Sequence, residues 1–308
     1  MTCSPLTTIA MAQTFTLPDG RRLDYKVSGA TEGDAVPLVF IHGTPGAYTP
    51  LPGFPDLCKK KGIKLVTLSR AGYGGSSRNR GRLVVDNVAD IQALKEHLGL
   101  DKCLVGGWSG GGPLSLACAA RLPGCVAALC VAGVAPYNAE GLDWLEGQGQ
   151  DNVDEFNASL RGEAELAKFC SAQKANMLQA DAAGIIEVLS SLLPDVDKRA
   201  LREQPAFGRH IVESFHEGLK LGVEGWVDDD LAFVEPWGFS LDEIKVPVLL
   251  YQGSEDKMVP FGHGRWLADQ LPQGTTTVHL VDGEGHISIF LGQEEKILDV
   301  MLAAFPGL

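Results

Sequence analysis

No stretch of the 308 residues reaches the roughly 18–20 consecutive apolar residues that a bilayer-spanning helix needs. The opening Met1-Thr2-Cys3-Ser4-Pro5-Leu6 lacks the basic and apolar regions of a signal peptide, so none is expected. Basic residues are in deficit, 26 against 39 acidic ones, a formal charge of −13. Such a chain has no electrostatic footprint for nucleic acid or an anionic membrane. The seven cysteines (Cys3, Cys58, Cys103, Cys118, Cys125, Cys130 and Cys170) are odd in number and form no C-x-x-C pair. Reduced thiols in a cytoplasmic protein are therefore expected. What is present is an ordinary globular composition, 45% apolar and 21% charged, which excludes disorder as the dominant state. The length is near the upper limit for one hydrophobic core, so one domain with an inserted sub-domain is expected.

Short apolar or β-branched runs alternate with helical patterns, which predicts an α/β fold with a mostly parallel sheet. Leu23, Tyr25 and Val27 alternate after the turn signal Pro18-Asp19-Gly20, as in an early edge hairpin. Runs at Pro37–Ile41, Lys64–Leu68, Cys103–Val105, Cys125–Val134, Val246–Tyr251 and Thr276–Val281 read as buried strands. Val84, Val88, Ile91, Leu94 and Leu98 recur at helical spacing, with Gly99 as a stop, and Ile287–Phe305 reads as a closing amphipathic helix.

From about Tyr137 to Glu235 no strand pattern occurs, only helical ones carrying Trp144, Phe156, Phe169, Phe207, Phe215, Trp226 and Phe233. This segment holds 20 acids and 8 bases, so nearly all the net charge belongs to it. The division expected is a core of 1–136 and 236–308 with a helical insertion at 137–235. Its acids form a solvated outer face, its aromatics an inner face that shapes a pocket, or both.

The strand ending at Val105 runs into Gly106-Gly107-Trp108-Ser109-Gly110-Gly111-Gly112 and then a helix-forming stretch from Pro113 to Arg121. This is G-x-S-x-G between strand and helix, where a sharp turn lifts the serine above the sheet and demands small neighbours. Phosphate binding is the other use of such a turn. Gly107 and Gly112 have P-loop spacing, but Pro113 stands where lysine is required. Ser109 is thus a candidate nucleophile, which needs a base and an oxyanion site. Of seven histidines, His286 lies in the loop after the last strand, where α/β ligand sites collect. His97 reads as a surface residue, His279 lies within a strand, and His210 and His216 have no cluster with metal-ligand spacing around them. Asp256 follows the penultimate strand and is the first choice of orienting acid, ahead of Glu255, Glu140 and Asp143. The Thr44 amide, in His42-Gly43-Thr44-Pro45-Gly46 after the first central strand, pairs with the Gly110 amide as a candidate oxyanion site. His42 itself reads as a structural, hydrogen-bonding histidine.

These residues resemble the α/β-hydrolase superfamily over nearly the whole chain. The order Ser109, Asp256, His286, the His42-Gly43-Thr44-Pro45 loop and the Ser69–Ser76 segment look like its landmarks. The resemblance implies an eight-stranded, mostly parallel sheet with a helical cap inserted after the sixth strand. It also implies Ser109 as nucleophile, Asp256 as acid, His286 as base and the Thr44 and Gly110 amides as oxyanion donors. A serine nucleophile disfavours the chemistry of the haloalkane dehalogenases and epoxide hydrolases in this superfamily, which use aspartate. The His42–Gly46 loop is similar to that of proline iminopeptidases, whose G-G-S-W-G-type elbow differs from Gly107-Trp-Ser-Gly-Gly111.

The leading expectation is a serine hydrolase acting on a small-molecule carboxylic ester, lactone or thioester, with no cofactor or metal required. An aminopeptidase of the proline iminopeptidase type is the alternative and would use cap carboxylates to bind a substrate ammonium. A lyase or ligand receptor that retains the triad is a third. Neither nucleic acid nor membrane is expected as a partner, and substrate identity and oligomeric state are open.

Overall fold

A computed structural model describes residues 12–304. Its eight strands are β1 (Gln13–Thr16), β2 (Arg22–Gly29), β3 (Val36–Ile41), β4 (Ile63–Leu68), β5 (Cys103–Trp108), β6 (Cys125–Val131), β7 (Val248–Gly253) and β8 (Thr276–Val281). They form one sheet in the order β1-β2-β4-β3-β5-β6-β7-β8. β1 and β2 form an antiparallel hairpin, β2 runs antiparallel to β4, and the rest are parallel. The expected α/β class and mostly parallel sheet are present.

Central strands are apolar on both faces because both faces are covered. Leu38 and Phe40, Leu104, Leu129 and Leu249 point into one core, and Val39 and Ile41, Val105, Cys130 and Leu250 point into the other. The second core is closed by α2 (Asn87–His97), α3 (Gly111–Arg121) and α10 (Phe261–Gln270). The first is closed by α1 (Phe54–Lys60), α11 (Glu294–Ala303) and much of a helical layer. That layer lies between β6 and β7: α4 (Gln150–Leu160), α5 (Glu163–Met177), α6 (Ile185–Val188), α7 (Asp195–Glu203), α8 (Pro205–Gly218) and α9 (Glu224–Val234). No strand occurs among the described residues of 137–235.

Several element boundaries differ from the sequence reading. β6 ends at Val131, because Ala132 turns into the left-handed region at φ 47°. The closing helix begins at Glu294 and not at Ile287. Ile287, Ile289 and Phe290 fill the core from turns, which mimics helical periodicity, and Phe305 lies outside the described residues. β8 is an edge strand with Val278 and Leu280 more than a third exposed, not a buried one.

Parallel registry aligns the strand ends. Ile41 pairs with Gly107, Trp108 with Val131, Val131 with Tyr251 and Gly253 with Val281. The loops after β3, β5, β7 and β8 therefore open on one edge, and those loops carry Thr44, Ser109, Asp256 and His286. Cys58, Cys103, Cys118, Cys125, Cys130 and Cys170 are buried and free, and Cys3 lies outside the described residues. No helix among the described residues is long and apolar enough to cross a membrane.

Candidate active site

Ser109 follows β5 with φ 57°, a left-handed conformation that a non-glycine residue adopts at a cost of about 1–2 kcal/mol. Its N–H donates to the Val131 carbonyl at 2.8 Å and its own carbonyl accepts the Gly112 N–H at 2.8 Å, so strand and helix lock the turn from both sides. The turn is too tight for side chains beside it. A Cβ on Gly107 would collide with the Gly111 carbonyl, and one on Gly111 with the Ile41 carbonyl. Gly43 brings the β3 loop against the serine, since a Cβ there would lie 3.6 Å from Ser109 Oγ.

His286 Nδ1 donates to Asp256 Oδ2 at 2.8 Å, and both residues are buried. Asp256 Oδ2 also accepts from Gln252 Nε2 at 3.0 Å, while Oδ1 accepts the Met258 and Val259 N–H groups at 2.8 and 2.9 Å. Asp256 is thus both a turn residue and the histidine's partner. Glu255, Glu140 and Asp143 are exposed and do not reach the ring. Burial lowers the His286 pKa, but the charge and hydrogen bond of Asp256 and the charge of Asp197 outweigh it, and the net direction is upward. Trp108 stacks on the ring at 5.5 Å between centroids and donates its Nε1–H to the His286 carbonyl at 3.2 Å.

Ser109 and His286 line one cavity of about 110 Å³, walled by Phe40, Leu51, Phe54, Ile211 and Phe215. Among the described residues no hydrogen bond joins the Ser109 hydroxyl to the ring, a looseness common in unliganded sites. A second cavity of about 100 Å³ also opens on Ser109. The Thr44, Gly110, Glu155, Trp226 and Asp230 residues face it. The Thr44 and Gly110 N–H groups carry no hydrogen bond within the chain among the described residues. His42 stands where a structural residue would. Its Nε2 accepts the Arg70 N–H, its Nδ1 donates to the Gly43 carbonyl at 2.7 Å, and burial holds its pKa well below the usual range.

Sequence reasoning missed the ionic network behind the Thr44 loop. Arg70 donates to the His42 carbonyl, to Thr44 Oγ1 at 2.9 Å and to Asp229 of α9. Asp229 also accepts from Thr44 Oγ1 and Tyr73 Oη, each at 2.7 Å, and from Arg82 at 2.6 Å. Burial opposes its charge, but Arg70 and Arg82 prevail and hold its pKa down at about 2. It also missed the Glu155–Asp230 pair. Glu155 accepts the Trp226 Nε1–H at 2.5 Å, and one Asp230 oxygen has no partner. Burial, then the Glu155 charge, pushes the Asp230 pKa well up.

A family model for the alpha/beta hydrolase fold matches residues 36–293, and the chain belongs to that family. The non-heme chloroperoxidase of Streptomyces lividans is 26% identical over 297 residues, covering 95% of this chain and 98% of the relative. The proline iminopeptidase of Neisseria gonorrhoeae is 35% identical over 123 residues, only 38% of either chain. Among solved structures, a thermophilic esterase from Thermogutta terrifontis superposes with a TM-score of 0.64 at 19% identity, covering 96% of both chains. At that identity the likeness is one of fold.

Proposed function

We propose that the protein is a serine hydrolase that cleaves a small-molecule carboxylic ester, lactone or thioester through an acyl-enzyme intermediate. The observation that carries this reading is a buried Asp256–His286 pair, bonded at 2.8 Å, whose histidine lines the same cavity as a serine held at φ 57°. In this reading Ser109 Oγ attacks the carbonyl carbon while His286 Nε2 takes its proton. Asp256 keeps the other ring proton on Nδ1 and stabilises the imidazolium. The Thr44 and Gly110 amides receive the developing oxyanion, an effect worth about 3–4 kcal/mol per donor in known cases. His286 then protonates the departing alcohol or thiol. Water, deprotonated by His286, attacks the acyl-enzyme and releases Ser109. No step calls for a metal or cofactor. We read 137–235 as a helical cap over a core of 1–136 and 236–308, since Ile211 and Phe215 wall the cavity at Ser109. A cytoplasmic location fits six buried, free thiols. Hydrolysis of p-nitrophenyl acetate and butyrate by the wild type, lost in Ser109→Ala with the fold intact, supports this reading. Hydrolysis that survives the substitution removes Ser109 as nucleophile.

The second reading is an aminopeptidase of the proline iminopeptidase type, and the Glu155–Asp230 pair favours it. Two carboxylates that line the second cavity at Ser109, one of them with an unpartnered oxygen, suit a substrate ammonium. Free aminoacyl p-nitroanilides cleaved in preference to their N-acetylated forms support it. Equal rates on the two remove the amine from recognition.

A further inference from the structure

The Asp256 bond orients the His286 ring but leaves the backbone of its loop to be fixed by something else. Asp197, third residue of α7, does this. Its carboxylate is fully buried and accepts three successive backbone N–H groups: His286 at 2.8 Å, Ile287 at 3.1 Å and Ser288 at 2.9 Å. The chain makes room for it at Gly285, where a Cβ would sit 2.5 Å from both carboxylate oxygens. A carboxylate bound by three amides places its backbone rigidly and also brings a buried charge close to the ring.

We propose that Asp197 is a positioning residue for His286, supplied by the helical layer, so that the base is fully assembled only when α7 is docked against the β8 loop. This rests on the reading of His286 as the general base. Two charged groups act on the ring, Asp256 from the loop after β7 and Asp197 from α7, while uncharged Trp108 covers its face from β5. Burial pushes the Asp197 pKa up, and so does the Asp256 charge. The Ser288 and His286 amides and the His286 charge oppose them. A neutral acceptor such as serine or asparagine would satisfy part of the amide set without raising the basicity of the ring, and this separates the role from simple loop anchoring.

The test is an NMR titration of the His286 imidazole in wild type and Asp197→Asn, which reads the ring with or without turnover. Loss of the charge should lower its pKa by on the order of half a unit to one unit. An unchanged titration in the folded variant overturns the proposal. Gly285→Ala provides a second route, because its methyl displaces the carboxylate while leaving its charge in the protein. There kcat on the p-nitrophenyl ester should fall by about 10²-fold with KM nearly unchanged, and an unchanged kcat overturns the proposal. If Ser109→Ala retained full activity, the serine-hydrolase reading would fail, while the titration would still report on the Asp197 contact by itself.

Discussion

Asp229→Asn is expected to destabilise the fold by about 3–5 kcal/mol, the usual result of removing one member of a buried charge set. Four donors converge on this carboxylate: Arg70, Arg82, Thr44 Oγ1 and Tyr73 Oη. The Arg70 and Arg82 side chains are each 1% exposed, so water cannot replace the lost charge. An asparagine amide would turn one acceptor into a donor facing other donors, whichever way it lay. Arg70 would keep its bonds to the His42 carbonyl and Thr44 Oγ1, but Arg82 would retain only the Gly225 carbonyl and Asp228. For a chain of this length the loss corresponds to a fall in melting temperature of roughly 5–8 °C. Urea unfolding with an unchanged m-value is the assay. Because the native pKa of about 2 lies below the ordinary 3.8, this carboxylate stabilises the fold above that ordinary value. Its contribution fades as pH drops toward 2, and the gap between variant and wild type should narrow over the same range. A loss under about 1 kcal/mol would refute the reading of Asp229 as the charge that holds Arg70 and Arg82 in place.

Other outcomes follow from the same geometry. Asp256→Asn should lower kcat by about 10³–10⁴-fold, because neither amide orientation satisfies Gln252 and the Met258 and Val259 N–H groups while keeping the acceptor on His286. The acid limb of the kcat/KM profile should have its midpoint above the ordinary His value of 6.5, since the base works only when neutral and its pKa is raised. Ser109→Gly should abolish activity yet raise stability by about 1 kcal/mol in thermal melts, by relieving the φ 57° conformation.

The legible part of the site lay in loops next to strands. Ser109 and Asp256 lie in loops after runs whose apolar character marks them as buried strands, and His286 lies in the loop after the last strand, so placing the strands places the loops. The supporting charges were illegible because their partners are remote, 159 residues apart for Arg70 and Asp229 and 89 for Asp197 and His286. Asp228-Asp229-Asp230 reads as a solvated run, yet all three are buried, Asp228 against Arg78 and Arg82, Asp229 against Arg70, and Asp230 beside Glu155. A signal was there: three successive helical residues span about 200° of the helix surface, so one of them must face inward, in a helix that flanks them with Trp226 and Val227 before and Leu231, Ala232, Phe233 and Val234 after. β8 was misjudged as buried because an edge strand can carry the same Val and Leu alternation as a central one.

Labelling with a fluorophosphonate, followed by intact-mass measurement and peptide mapping, shows directly whether Ser109 is the nucleophile. Attack by Ser109 Oγ on phosphorus expels fluoride and leaves one stable adduct per chain. A single adduct on Ser109 is expected, formed far more slowly when His286 is replaced by alanine. An enzyme that hydrolyses esters but takes no label at Ser109, or takes it on another residue, would contradict that role.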